Sequence, residues 1–368
     1  MYVLLFFSLL AVLFTYIESK GRLKNGMAIG FAFMTIIATI RFDYGNDYMN
    51  YYRLYNQIIS CDFTLSLDQL ACIYREPGWT LMNLIFKPFG EVGFFILIAV
   101  LAIFQNVTYY KLIRTYVPPE YRWFAVYVYL FNISLYVLNM SMLRQGLTIT
   151  IFIYCIPLIL KKKWLNVILI FLIFSTIHSS IKLLLPFAFW GYLKSLNKKF
   201  WLVPAAFMIF FMIFVLNRNL VDQFMMMLLN VEEIQEYGDI YIKDSNENSF
   251  KLGLGFIVNS IPFIASLLFL LKSKTTQHPQ VLVALACVSS IISPFGQVTQ
   301  MITRIAYYFQ AVSVITIPIV YYWFKPFVRN CLICVYILIM QYSYWVFFHS
   351  PIWFDHYYQY TTLFSIQK

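Results

Sequence analysis

The chain has 368 residues, 61% of them hydrophobic and only 12% charged, with a mean hydropathy of +0.71. That balance excludes an ordinary soluble domain and leaves a polytopic membrane protein as the class that fits. The net charge of +11 would suggest nucleic acid in a soluble protein; here the basic residues lie in short patches between apolar runs, where they report orientation in a membrane and no nucleic-acid partner.

Apolar runs predict twelve spans, at residues 2–17, 25–41, 92–111, 122–139, 145–160, 164–178, 179–193, 200–217, 252–271, 279–294, 304–324 and 330–348. The expected fold is all-α, a single transmembrane domain over residues 1–368. The first run has no basic leader and no small-residue cleavage site, so it reads as an uncleaved span. Basic residues fall in alternate loops: Lys20, Arg22 and Lys24; Lys111, Arg114 and Arg122; Lys161 to Lys163; Lys194, Lys198 and Lys199; Lys272 and Lys274; Lys325 and Arg329. Only Glu18 and Glu120 oppose them there. The positive-inside rule then places those loops in the cytoplasm and both termini outside.

Two outer loops are long, 42–91 and 218–251. The second is acidic, and its opening "LVDQFMMMLLNVEEI" has helical spacing of Leu220, Phe224, Met227, Leu228 and Val231, which predicts an amphipathic helix on the outer interface. Cys61 and Cys72 share the first loop, where an oxidising compartment allows a bridge and two free thiols fit equally well. Cys331 and Cys334 form a CxxC with no second pair or nearby His, so packing thiols are expected and no metal site.

Depth singles out a set of residues. At about 1.5 Å per helical residue, Lys24 to Arg41, Arg144 to Lys161 and Lys163 to His178 each cover roughly 22–25 Å. The hydrocarbon core is about 30 Å thick. Arg41, Arg144 and His178 therefore fall in one layer just beneath the outer surface, where polar groups are costly unless they pair or line a wet pocket. Around that layer stand Asp43, Asp47 and Tyr48 of "RFDYGNDYMNYY", Arg75 and Glu76 of "YREPGW", Gln145 of "SMLRQGL", Lys182 of "STIHSSIK", and Arg304. Each also has a plain structural reading. Asp43 and Asp47 suit a turn around Gly45, Arg41 and Arg304 suit snorkelling at span ends, His178 suits a capped helix turn, and Glu76 suits a pair with Arg75. Together they offer more: guanidinium forks match pyrophosphate oxygens, a carboxylate or imidazole takes a proton from a hydroxyl, and aromatic faces suit sugar rings. No nucleotide-binding or metalloprotease motif is present.

"RFDYGNDYMNYYRLY", "REPGWTLMNLIF", "NMSMLRQGLTITIF", "KKKW", "FSTIHSSIKLLLPF" and "ITRIAYYFQAVSV" stand in an order that resembles the EpsG family, membrane proteins grouped with Wzy-type polymerases of O-antigen, capsule and exopolysaccharide. The resemblance implies a glycosyltransferase in the bacterial cytoplasmic membrane, working at its outer face. It would move a growing glycan from undecaprenyl pyrophosphate onto the non-reducing end of a new lipid-linked repeat unit, without a soluble cofactor. A flippase and a chain-length regulator are the protein partners such a pathway implies. On this reading Arg41, Arg144 and Arg304 hold the pyrophosphate, with Asp43, Tyr48, Arg75, Gln145 and Lys182 around the substrate. Asp47 or His178 is the general base, with Glu76 a further candidate. The rival readings are a flippase or transporter of lipid-linked oligosaccharide, which would call for internal repeats and charges deeper in the spans; an O-antigen ligase, which differs only in its acceptor; and a membrane acyltransferase.

Overall fold

The computed structural model describes residues 1–60, 76–195, 254–273, 277–293 and 300–365. Arg75, Cys61, Cys72, the expected span 200–217 and the expected helix of the acidic loop lie outside them. Two compact units are formed, Met1–Gly191 with Phe324–Lys368, and Tyr192–Trp323.

The first unit begins with α1 (Tyr2–Ser19) and α2 (Gly26–Ile40), then the two-residue strand β1 (Arg41–Phe42) and α3 (Tyr48–Ser60). It continues through α4 (Pro77–Phe86), α5 (Val92–Tyr116), α6 (Arg122–Phe131), α7 (Val137–Ser141), α8 (Leu143–Leu160) and α9 (Trp164–Ser175). A 3-10 stretch, Ser179–Ser195, follows; the 3-10 geometry stands where the apolar run 179–193 had suggested an α-helical span, and Pro186 lies inside it. The second unit holds α10 (Leu254–Lys272), α11 (Gln277–Ile292) and α12 (Gln300–Trp323), with α11 packed against both others. The chain returns to the first unit with α13 (Pro326–His349), α14 (Phe354–Tyr357) and β2 (Thr361–Thr362).

Among the described residues, five helices are long and apolar enough to cross a membrane: Tyr2–Ser19, Val92–Tyr116, Leu143–Leu160, Arg304–Trp323 and Pro326–His349. Shorter apolar helices cover Gly26–Ile40, Trp164–Ser175, Ser260–Lys272 and His278–Ile292. Their outward faces are apolar, with Phe6, Ile36, Leu338 and Trp345 exposed, as helices facing hydrocarbon require. The expected span 122–139 is interrupted. Asn132 ends α6 with extended backbone, and its Oδ1 accepts the Ser134 N–H at 3.2 Å. That Asx-type turn offers the backbone an alternative to helix, and the polypeptide resumes only as the five-residue α7.

Helix lengths give the first unit two ends. At one end Tyr16, near the close of α1, meets Trp123 edge-on at 5.9 Å. Arg122 there donates to Val117 O and Arg114 O at 3.1 and 3.0 Å. The basic residues that follow α1, close α5 and open α6 thus share one end. At the other end, about 27 Å away along α1, the Met1 amine bonds Tyr358 O and β1 pairs antiparallel with β2, Arg41 opposite Thr362.

Arg41 is 2% exposed, and no carboxylate of the described residues pairs with it. It donates from Nε and Nη2 to Met140 O at 3.1 and 2.8 Å and from Nη1 to Ala38 O. Those carbonyls lie in the last turns of α7 and α2, where helix dipoles leave partial negative charge. Tyr48 stacks under the guanidinium, 5.7 Å to its ring centre, and its hydroxyl returns to Arg41 O at 3.0 Å. Beside Arg41 lies a cavity of about 20 Å³ lined by Gln105, Asn106, Asn139 and Thr150 among others. That is room for a water.

The turn after β1 closes the same end. Gly45 has φ +101°, and a Cβ there would lie 2.4 Å from the Ser141 Cβ and 2.5 Å from its Oγ. Its N–H donates to His356 O at 2.9 Å. Glycine is needed twice over, for the backbone region and for the space. Gly45→Ala should lose about 1–3 kcal/mol from backbone strain alone, and more from the overlap. Gly21→Ala is the control, since Gly21 has φ +70° and a Cβ placed there would meet nothing within 4 Å. Thermal unfolding of the detergent-solubilised protein should show the larger drop at Gly45; equal drops would mean the Ser141 contact is readily relieved.

Candidate functional site

The site is assembled at the start of α4. Glu76 precedes Pro77, which opens α4 at its first position and so restricts Glu76 to extended backbone. Gly78 docks on the end of α9, its N–H donating to Thr176 O at 2.9 Å. A Cβ at Gly78 would lie 2.2 Å from Thr176 Oγ1, so this close approach also depends on glycine. Docking brings the Glu76 carboxyl to the turn that carries His178.

That carboxyl is satisfied from three sides. Oε1 accepts the Ser179 backbone N–H at 2.7 Å and lies 3.2 Å from His178 Nδ1. Oε2 takes a charge-assisted hydrogen bond from Arg144 Nη1. The side chains are 14% exposed for Glu76, 15% for His178 and 27% for Arg144, so Arg144 is the member that reaches furthest toward solvent. Burial alone would push the Glu76 carboxyl up. The His178 hydrogen bond, the Arg144 charge, the His178 charge and the Ser179 N–H together outweigh it and hold the carboxyl below its usual range. Glu76 is therefore ionised at neutral pH.

An ionised carboxylate can only accept, so His178 must carry a proton on Nδ1 to bond it. In the neutral ring Nε2 is then the lone-pair nitrogen. It is buried and has no hydrogen-bond partner among the described residues. An oriented imidazole with an uncommitted Nε2, beside a guanidinium, can take a proton while anionic oxygens are held nearby.

Arg144 follows directly on the break at Met142 between α7 and α8, where the polar triplet interrupts two apolar runs. Its Nε reaches the Tyr51 hydroxyl at 3.4 Å, and its guanidinium lies 5.8 Å from the Tyr51 ring centre. Tyr51 in turn packs edge-on to Trp79 at 5.5 Å. Gln145 is buried in α8. Asp47 is half-buried; its N–H donates to Ser141 Oγ at 3.1 Å, and Oδ1 accepts from Asn46 Nδ2 at 3.3 Å. Asn46 Oδ1 collects the Ser141 and Tyr357 hydroxyls at 3.1 and 3.0 Å.

The structure thus brings Glu76, Arg144 and His178 together, with Asp47 in the turn next to them. Arg41 and Tyr48 form the separate buried tie described above. Asp43 is exposed with φ +46°, and Lys182 is exposed on the 3-10 stretch. Arg304 belongs to α12 of the second unit. Sequence reasoning did not single out Tyr51, the Ser179 N–H, Ser141, or the tail residues His356 and Tyr357. The tail could have been noticed, because "FDHYYQYTT" has the same mix of acid, aromatics and hydroxyls as the stretch around Gly45. Among the described residues no group of three or more His, Cys, Asp or Glu could hold a metal ion.

The depressed Glu76 carboxyl has a pH signature. A group whose folded pKa lies below its unfolded value contributes stability above the unfolded value, near pH 4.3 for a free glutamate, and loses it as pH falls through the folded one. Glu76→Gln should cost about 1–3 kcal/mol at pH 7, where three donors lose an anionic partner. The gap to the parent should narrow as pH falls below about 4. Thermal unfolding of both proteins from pH 3.5 to pH 7 measures it; a gap independent of pH would show that the charge is not what stabilises.

Residues 24–362 match the EpsG family. Neither a curated protein nor a solved structure matches the chain. The family match runs from the start of α2 to β2 and takes in Glu76, Arg144 and His178, the three side chains that meet. The chain is a multi-pass α-helical membrane protein that belongs to the EpsG family.

Proposed function

We propose that the protein is a polysaccharide polymerase acting at the outer face of the bacterial cytoplasmic membrane. The donor is a growing glycan on undecaprenyl pyrophosphate, and the acceptor is a hydroxyl at the non-reducing end of a new lipid-linked repeat unit. The observation that carries this reading is one carboxylate gripping both a guanidinium and an imidazole whose Nε2 is uncommitted. The acceptor oxygen attacks the anomeric carbon, the bond from that carbon to the phosphate oxygen breaks, and undecaprenyl pyrophosphate leaves with the electron pair. His178 Nε2 takes the hydroxyl proton. Arg144 faces the charge that grows on the leaving pyrophosphate, which is where a planar fork acts best.

Orientation supports the same reading. Basic clusters gather at the end of the first unit opposite to β1 and β2, so the positive-inside rule turns the Gly45 turn and the C-terminal tail outward. His178 Nε2 is shielded from solvent; an acceptor reaches it only as side chains rearrange, and proton transfer then proceeds away from competing water. Charges grouped at a helix end, rather than through the spans, favour chemistry over transport. A ligase shares the donor and the leaving group and differs in its acceptor.

The test is a reconstituted assay with purified protein and lipid-linked repeat units, read as a glycan ladder. His178→Gln keeps bulk and loses the base, and should slow polymer formation by about 10²–10⁴. Asp47→Asn in parallel should keep a near-normal rate; the reverse pattern would make Asp47 the base. Arg144→Lys retains charge without the fork and should lose about 10²–10³ in rate. A normal ladder from Arg144→Ala would remove Arg144 from the donor site. Transfer to a lipid A-type acceptor with no polymer would favour the ligase.

A further inference from the structure

We propose that Glu76 couples the two substrates: a lipid pyrophosphate that engages Arg144 frees Glu76 from that ion pair and leaves its charge to His178, so the base strengthens when the donor is in place. This rests on the reading of Arg144 and His178 given above.

The coupling follows from sharing. Glu76 spends one oxygen on Arg144 and the other on His178 and the Ser179 N–H. Arg144 is the most exposed of the three and the one a ligand meets first. A pyrophosphate offers several anionic oxygens in the geometry a guanidinium fork prefers, whereas Glu76 offers Arg144 a single one. The guanidinium exchanges its carboxylate for phosphate oxygens, and its positive charge is then neutralised from the ligand side. The negative charge of Glu76, no longer compensated by Arg144, falls on the imidazole. When the acceptor hydroxyl gives its proton to Nε2, the imidazolium keeps Nδ1–H on Glu76 Oε1, and that ion pair is worth most after Arg144 has turned away.

Among the described residues, the charged groups around His178 can be assigned element by element. Glu76 approaches from the start of α4 and Arg144 from α8. Tyr51 on α3 meets Arg144 and feels the Asp47 charge. Lys182, four residues along the 3-10 stretch from His178, is exposed. Glu76 is the element common to both substrate-handling groups, and it acts as a positioning residue: it fixes the imidazole tautomer and carries the donor's arrival to the base.

The experiment uses the full chain in detergent with ¹³Cε1- and ¹⁵N-labelled histidine. The sequence has four histidines, and the spectrum of His178→Gln assigns the His178 signals. Inorganic pyrophosphate is the probe, and its binding is followed separately by calorimetry. In the parent protein the neutral ring should show the Nδ1–H tautomer, and saturating pyrophosphate should raise the His178 titration midpoint by about one pH unit, a tenfold change in proton affinity. In Glu76→Gln the tautomer bias should be lost and the shift should fall to less than half, leaving the direct effect of the ligand's charge. Binding with no shift in the parent overturns the coupling and leaves the proposed function standing. An equal shift in both proteins overturns it as well. If Glu76→Gln does not accumulate, Glu76→Asp replaces it, with the carboxylate drawn back by one methylene and a reduced shift expected. Failure of pyrophosphate to bind, or binding undiminished in Arg144→Ala, overturns the donor assignment and the coupling with it.

Discussion

Everything at the site turns on a half-buried carboxylate that has to be satisfied. Glu76 cannot sit where it does without donors, and it finds them on the 3-10 stretch, on the turn after α9 and at the start of α8. Those donors fix the relative placement of Arg144 and His178, which are 34 residues apart on elements joined through a basic loop. The carboxylate in turn is held by a proline and a glycine at the first positions of α4, one restricting the backbone and the other permitting close docking on Thr176. Local backbone chemistry thus decides which polar side chains share charge.

Arg41 shows a different answer to the same physical problem. A buried guanidinium is costly unless its donors are filled. Here the acceptors are backbone carbonyls at the ends of two short helices, so one side chain ties α2 to α7 and satisfies carbonyls that helices leave open. The tyrosines around it serve the same end: Tyr48, Tyr136 and Tyr360 hand their hydroxyls to main-chain oxygens of Arg41, Met34 and Ile37. Tyr48 and Tyr136 are buried, and with Tyr360 they close hydrogen bonds that water would otherwise have to make.

Hydropathy made the membrane class and most helix positions legible, because a long apolar run in a lipid setting satisfies its backbone best as a helix. Depth counted from the basic loops also placed Arg144 and His178 in one layer, and they do meet through Glu76. The same count put Arg41 in that layer, and its partners proved to be carbonyls, which have no sequence signature. The break of 122–139 at Asn132 depends on one side chain taking a nearby N–H, a choice that hydropathy averages away. Tyr51 was one tyrosine among many until packing against Trp79 and Arg144 distinguished it. The tail offered only a composition that echoes the stretch around Gly45, because its partners lie at the other end of the chain.

That last feature has a consequence for how the protein comes into being. Asn46 and Tyr357 are 311 residues apart, and His356 and Thr362 supply the backbone partners of Gly45 and Arg41. The first two helices can be inserted early in synthesis, yet the turn that follows them lacks the His356 and Tyr357 half of its partners until the segment beyond α13 has been made and moved to the same side. Closing so long a loop is slow compared with local helix formation. Through synthesis the stretch around Gly45 is thus a half-built surface, and the order of translation makes it among the last parts of the molecule to set.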